Sequence, residues 1–359
     1  MRIAFITRST IYSVPGGDTV QIEQTAKGLR SLGESVNIIK AGEKFSEKDY
    51  DLFHYFNITR PADFLTYVSS LKKPYFISPL LVDYSEYDKF YRKGLSGWLL
   101  RRFSPDGNEF MKTIGRWILG KDRLASKRYL WKGQKKSMQL LLEKATAVLP
   151  NSLSEQNALE KKFNLNKPFA VIPNGIDPEL FKYDAATTKD LRSIICAARI
   201  EGIKNQENLI KAVNGTDLSL QIAGAAAPNQ KKYFSHCQLI AGTNVHFVGR
   251  LSQSELIDLY KRSKVHVLPS WFETCGLSTL EAAAMGCNIV ITDKGYTRDY
   301  FGDDAYYCDP ADPSSILQAI RKASANPVNE VLVKKIREQF TWKIAAEKTL
   351  AAYQKFSGL

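Results

Sequence analysis

The sequence predicts an α/β protein made of two doubly wound, parallel-sheet domains facing a ligand cleft. Short apolar runs alternate with amphipathic helical stretches along most of the chain, the pattern of parallel strands joined by helical crossovers. A turn-rich stretch at 173–190 (Pro173-Asn174-Gly175, Asp177-Pro178) divides the series in two. The 359 residues hold about two domains at roughly 150 residues each. Between two consecutive domains of this kind, the cleft is the expected ligand site.

The first element is the strand Ile3–Thr7. A loop ending in Val-Pro-Gly-Gly (14–17) follows, then a helix with Asp18 as N-cap, an apolar stripe at Ile22, Ala26 and Leu29, and a stop at Gly33. Further strands are expected at Ser35–Ile39, Leu52–Phe56, Pro74–Ile77, Ala147–Leu149 and Phe169–Ile172. The second series has strands at Ser193–Ala197, Leu218–Ile222, Val245–Val248, Val265–Leu268 and Ile289–Thr292, with helices near 205–213, 254–263 and 278–286. No internal repeat or low-complexity tract is visible.

An apolar fraction of 44% with 24% charged residues excludes disorder, collagen and coiled coil. No apolar run approaches the roughly 18–20 residues that span a bilayer. The N-terminus runs straight into strand-like sequence without a long apolar region and cleavage site, so no signal peptide is expected. Cys196, Cys237, Cys275, Cys287 and Cys308 are odd in number and lack CxxC spacing, which reads as free thiols in a cytoplasmic protein.

Lys and Arg total 50 against 37 Asp and Glu, a net charge of +13. Segment 89–136 alone carries fourteen Lys/Arg and only three acids, Asp106, Glu109 and Asp122, a net of +11. The rest of the chain is therefore only +2. Eight aromatic residues are interleaved there, among them Trp98, Trp117 and Trp131, and no strand pattern interrupts it. Such a basic, aromatic, amphipathic segment suits an anionic membrane surface or acceptor. A solvated basic face, or a nucleic-acid-binding protein using the same segment for phosphates and stacking, are the alternatives.

The densest cluster of chemistry-bearing residues is 269–286, between the strand Val265–Leu268 and a helix. Open parallel sheets bind ligands at the carboxyl ends of their strands. Glu273 lies in the loop and Glu281 in the helix. The backbone amides of Thr274, Cys275, Gly276, Leu277 and Ser278 are expected at a helix N-terminus that attracts phosphate. A carboxylate at 281 can accept both hydroxyls of a ribose, although Ser278…Glu281 also reads as a capping box that needs no ligand. Arg199 and Lys204 leave another strand end, where Arg in a fork and Lys as a point charge suit a diphosphate, although a single Lys or Arg there is more often part of an ordinary basic loop. Gly16-Gly17 precedes the first helix without a GxGxxG fingerprint. Among the four histidines, His54 ends an N-domain strand where it can face the cleft, while His236, His246 and His266 read as structural. No P-loop, HExxH, CxxC pair or GxSxG is present, and no metal site is expected.

Taken together, these clusters resemble the retaining glycosyltransferases called glycosyl transferases group one (glycosyltransferase family 4-like), which have the GT-B fold of two Rossmann-like domains. The match covers most of the chain and is strongest from about 145 to 312. Glu273…Glu281 with Gly276, Leu277 and Gly286 is similar to the family's Glu-x7-Glu motif, and Pro173-Asn-Gly-Ile-Asp177 to its interdomain signature. Arg199 and Lys204 match its Arg/Lys pair, Gly16-Gly17 its N-terminal glycine loop, and Val248-Gly249-Arg250 the stretch around the nucleotide base. Two departures stand out. Phe76-Ile-Ser-Pro79 takes the place of a His-containing turn common in relatives, and Thr274-Cys275 the place of a Gly-Phe type pair.

The resemblance implies a metal-independent hexosyltransferase-type enzyme without a cofactor, moving sugar from a UDP- or GDP-sugar to a hydroxyl of a glycan or lipid-linked acceptor with retention. Glu273, Lys204 and Arg199 would be catalytic. Donor contacts would come from Gly16, Gly17, Arg199, Lys204, Gly249, Arg250, Glu273, Thr274, Cys275, Gly276, Leu277 and Glu281. His54, Asn57 and Ser78 would contact the acceptor. The expected division is an acceptor-binding Rossmann-like domain at 1–168 with insertion 89–136, a donor-binding one at 169–340, and a C-terminal helix at 341–359 returning to the first. The expected partners are the nucleotide-sugar donor and an anionic or lipid-linked glycan, with contact to the cytoplasmic membrane face through 89–136 and no nucleic acid. Polysaccharide or glycolipid assembly of the bacterial type would be the setting, and sugar-nucleotide epimerisation is the alternative within the fold.

Overall fold

The computed structural model describes residues 1–358 except 69, 93, 95, 96, 99, 100, 121–123 and 228. Of the basic segment, Lys93, Lys121, Asp122 and Arg123 thus lie outside the described residues. Two units are present: Met1–Asn174 with Trp342–Leu359, and Gly175–Thr341.

The first unit is a five-stranded sheet of β1 (Arg2–Thr7), β2 (Ser35–Lys40), β3 (Leu52–Phe56), β4 (Tyr75–Ser78) and β5 (Ala147–Val148) in the order β2-β1-β3-β4-β5. Every pairing is parallel. Its helices are α1 (Gly17–Ser31), α2 (Leu65–Val68), α3 (Pro105–Ile118), α4 (Arg128–Lys144) and α5 (Leu153–Phe163). Alternate residues of one strand serve opposite cores, as a sheet covered on both faces requires. Phe53 and Tyr55 pack with Met138 and Leu142 of α4, while Leu52 and Phe56 pack with Ile22 and Leu29 of α1.

The second unit holds β6 (Asp190–Ala197), β7 (Ser219–Ala223), β8 (Val245–Gly249), β9 (Ser263–Leu268), β10 (Asn288–Thr292) and β11 (Tyr306–Cys308), again all parallel. Its helices are α6 (Gln206–Val213), α7 (Lys231–Ile240), α8 (Gln253–Arg262), α9 (Leu277–Ala284), α10 (Arg298–Phe301), α11 (Pro313–Ala325) and α12 (Glu330–Gln339). The strand order β11-β10-β9-β6-β7-β8 means the chain runs outward from β6 to one edge, returns to β9, and runs to the other edge. The central strands β9 and β10 are buried at every position, including the polar Ser263, Lys264, His266, Asn288 and Thr292 that interrupt their apolar runs. The last helix, α13 (Trp342–Ser357), belongs to the first unit, where Ala345, Ala352 and Tyr353 join the core under α1.

Three local expectations give way. Helix α1 starts at Gly17 with Gly16 as N-cap, because Asp18 is held by the Arg8 guanidinium at 2.6 Å instead of capping. Residues 169–172 form a single bridge, Val148 to Phe169, and no full strand. The Ser278…Glu281 capping box is absent. Gly276 takes the left-handed conformation (φ 67°) and becomes the N-cap, so Ser278 is already the second helical residue.

Candidate functional site

The order of the second sheet creates one topological switch point, between β6 and β9. There the two chain directions diverge and leave a crevice beyond the strands' carboxyl ends. The loop after β6 carries Arg199 and Lys204, and the loop after β9 carries Glu273.

The two loops are tied together through backbone groups. Trp271 donates its amide to the Ile203 carbonyl at 2.9 Å. Asn205, left-handed at φ 59°, donates its side-chain amide to the carbonyls of Pro269 (3.0 Å) and Pro310 (2.7 Å). On this frame Lys204 Nζ meets Glu273 Oε2 at 2.6 Å, with side chains 18% and 10% exposed. Ser270 Oγ donates to the same carboxylate oxygen at 3.2 Å. Water is largely excluded from this pair, so its attraction is screened less than that of a surface pair.

Glu273 is fixed by its backbone as well. Its amide donates to the Lys294 carbonyl at 3.0 Å, and its carbonyl accepts from the Tyr296 amide at 2.9 Å. Gly295 lies between these two contacts at φ +112°, where an added Cβ would come within 2.0 Å of the Glu273 carbonyl oxygen. Only glycine fits that approach. Arg199 is more accessible: its guanidinium pairs with Glu201 at 2.9 Å while 43% exposed, which leaves it within reach of a ligand.

Thr274, Cys275, Gly276 and Leu277 form the turn into α9, with Cys275 buried against the core. No side chain caps this helix, so the amides of its first turn are not taken by a capping group. Glu281, freed from the capping role, accepts a hydrogen bond from the buried Tyr260 hydroxyl at 3.3 Å. Burial pushes the Glu281 carboxyl up to about 7, partly offset by that hydrogen bond. Gly249 and Arg250 are exposed at the end of β8, where the Gly249 carbonyl accepts the Gly224 amide at 2.7 Å.

In the first unit, Gly16 and Gly17 close a loop built around Arg8. That buried guanidinium donates to Asp18, to the Thr10 carbonyl and hydroxyl, and to the Val14 carbonyl, all at 2.6–3.0 Å. Asn57 ends β3 in the left-handed region and accepts from the Thr59 hydroxyl at 2.5 Å. His54 and Ser78 are core residues. His54 Nδ1 bonds the Tyr353 hydroxyl (2.6 Å) and Nε2 the Ser78 hydroxyl (2.9 Å), and burial lowers the imidazole to about 3. With both nitrogens engaged and 1% exposure, His54 is a packing residue, which corrects its expected contact with an acceptor. Ser78, its partner, is buried with it.

Sequence reading did not pick out Gly295, Ser270 or Tyr260. Gly295 left a signal, a glycine three residues past the end of a buried strand. Tyr260 left none, since it lies on a helix in a sequence-distant part of the unit.

The family described as Glycosyl transferases group 1 matches residues 180–341, the stretch that holds this site. The MMP alpha-(1->4)-mannosyltransferase of Mycolicibacterium hassiacum is 27% identical over 52% of this chain and 48% of its own length, so the match spans about half of that relative. Among solved structures, sucrose-phosphate synthase from Thermosynechococcus elongatus superposes with a TM-score of 0.76 at 15% identity, covering 100% of both chains. Anabaena Alr3699/HepE in complex with UDP superposes with a TM-score of 0.62 at 16% identity, covering 99% of this chain and 96% of that one. At such identities the structural likeness speaks for the fold alone. Residues 180–341 are thus similar to glycosyl transferases group 1, and the chain has the GT-B fold, with two all-parallel α/β units.

Proposed function

We propose that the chain transfers a sugar from a UDP- or GDP-sugar to a hydroxyl of an anionic or lipid-linked glycan, with retention, in polysaccharide or glycolipid assembly. The observation that carries the reading is the Lys204–Glu273 pair at the switch point of the second sheet. As the glycosidic bond breaks, negative charge develops on the leaving diphosphate. Lys204, Arg199 and the amides of the first turn of α9 stabilise that charge as preorganised donors, without a metal. Glu273 accepts hydrogen bonds from hydroxyls of the transferred sugar, and its backbone clamp to 294–296 holds the residue in place. Glu281 in its ionised form accepts the ribose hydroxyls. Gly249 and Arg250 flank the base, and the acceptor belongs to the N-terminal unit. The UDP complex of Alr3699/HepE supports the choice of nucleotide class.

A thermal-shift and turnover panel of UDP, GDP and their sugars tests the reading, because a ligand that binds the native state raises its stability by mass action. Stabilisation by a nucleoside diphosphate and release of it in the presence of a glycan acceptor are expected. A chain that no nucleotide stabilises would overturn the reading. Conversion of the sugar nucleotide with no acceptor present would replace transfer by epimerisation.

A further inference from the structure

The N-terminal unit presents a surface that the transfer chemistry does not use. Among the described residues, ten of the twenty exposed large apolar side chains fall within 89–136. They are densest where α3 ends and α4 begins. Ile118 is 72%, Leu119 67% and Trp131 91% exposed, with Trp117 and Leu130 beside them in sequence. Trp117 and Tyr129 line one small cavity together, which places the end of α3 against the start of α4. Gly133 breaks α4 at φ 69°, separating the turn that carries Trp131 from the buried helix that follows. Tyr129 points into the core two residues before Trp131 points out.

Among the described residues of 89–136, the exposed charged side chains are all basic. The described acids of the segment are taken up internally, Asp106 by Lys162 and Glu109 by Lys112, each at 2.7 Å. Lys127, Arg128, Lys132, Lys135 and Lys136 remain exposed along α4. Aliphatic residues at 118, 119 and 130 offer no face for base stacking, which disfavours a nucleic acid, whereas aliphatic and indole groups ringed by cations fit the headgroup boundary of an anionic bilayer. No described helix is long and apolar enough to cross a membrane, so the contact is interfacial.

We propose that this surface docks the chain onto anionic lipid, with Ile118, Leu119 and Trp131 entering the headgroup region and the cations of α4 lying on it. The inference deepens the proposed function on its acceptor side, since a lipid-linked acceptor is met where its bilayer is.

The test is co-sedimentation of the whole chain with vesicles of phosphatidylcholine alone and of phosphatidylcholine mixed with phosphatidylglycerol. Binding to the mixed vesicles only is expected, weakened by salt. The variant Ile118→Ser/Leu119→Ser/Trp131→Ala should bind at least tenfold more weakly. The variant Lys132→Ser/Lys135→Ser/Lys136→Ser should lose about fivefold per charge. These positions are exposed, and circular dichroism checks that both variants fold. Equal binding to both vesicle types, or binding unchanged in both variants, overturns the proposal. So does binding to a single-stranded oligonucleotide in the absence of vesicle binding. UDP affinity measured on the same variants should be unchanged, so a failure here is separable from a failure of the donor reading.

Discussion

Replacing Glu281 by Gln probes the proposed donor site through two linked quantities. The side chain sits one turn into α9, with its carboxyl raised from 4.5 to about 7 by burial. A shift of that size is worth about 3 kcal/mol. The folded pKa lies above the unfolded one, so this group's contribution is fully present below about pH 4.5 and is lost as pH rises through about 7. Gln keeps the shape and an acceptor for the Tyr260 hydroxyl but cannot ionise. Denaturant unfolding of the two proteins across this range should therefore show Glu281→Gln gaining about 3 kcal/mol relative to wild type between about pH 4.5 and about pH 8. Ribose hydroxyls donate to the ionised form, so nucleotide binding should run the opposite way. Between about pH 6 and about pH 8, UDP affinity of wild type should rise about tenfold relative to the variant, the ratio cancelling the titration of UDP itself. Two parallel stability curves together with a pH-independent affinity ratio would refute both the buried ionisation and the ribose role.

Two further substitutions test how the site is held. Gly295→Ala puts a Cβ against the Glu273 carbonyl and forces a non-glycine residue to φ +112°. Denaturation should show a loss of roughly 1–3 kcal/mol, and turnover should fall more than tenfold as Glu273 shifts; unchanged values for both would remove the backbone clamp from the account. Tyr260→Phe deletes the hydroxyl that donates to Glu281. Donor KM should rise several-fold with kcat nearly unchanged, and the pH profile of donor binding should move to higher pH; an effect on kcat alone would contradict a positioning role.

The strands were legible because a parallel sheet covered on both faces demands largely apolar runs, and Val265–Leu268 and Ile289–Thr292, polar only at His266 and Thr292, are buried throughout. The site was legible for a related reason. Residues that follow strand ends in a doubly wound sheet converge, so Lys204 and Glu273 meet although 69 positions separate them. The misreadings share one cause, a local pattern overridden by a distant partner or by backbone conformation. Asp18 has the chemistry of a cap, but Arg8 claims it. Ser278 and Glu281 have capping-box spacing, but a left-handed Gly276 starts the helix early enough to exclude it. His54 ends a strand as a ligand contact would, yet its ring is locked by Tyr353, 299 positions away on the last helix.

In the proposed function, Lys204 grips the diphosphate of a sugar nucleotide. Calorimetric titration of UDP and GDP into wild type and Lys204→Ala, with folding of the variant checked by circular dichroism, tests it most directly. At least one nucleotide should bind wild type saturably and bind the folded variant at least about tenfold more weakly, the size of a charge-assisted hydrogen bond. Equal affinity in the two proteins, or no binding of either nucleotide to wild type, would contradict the account.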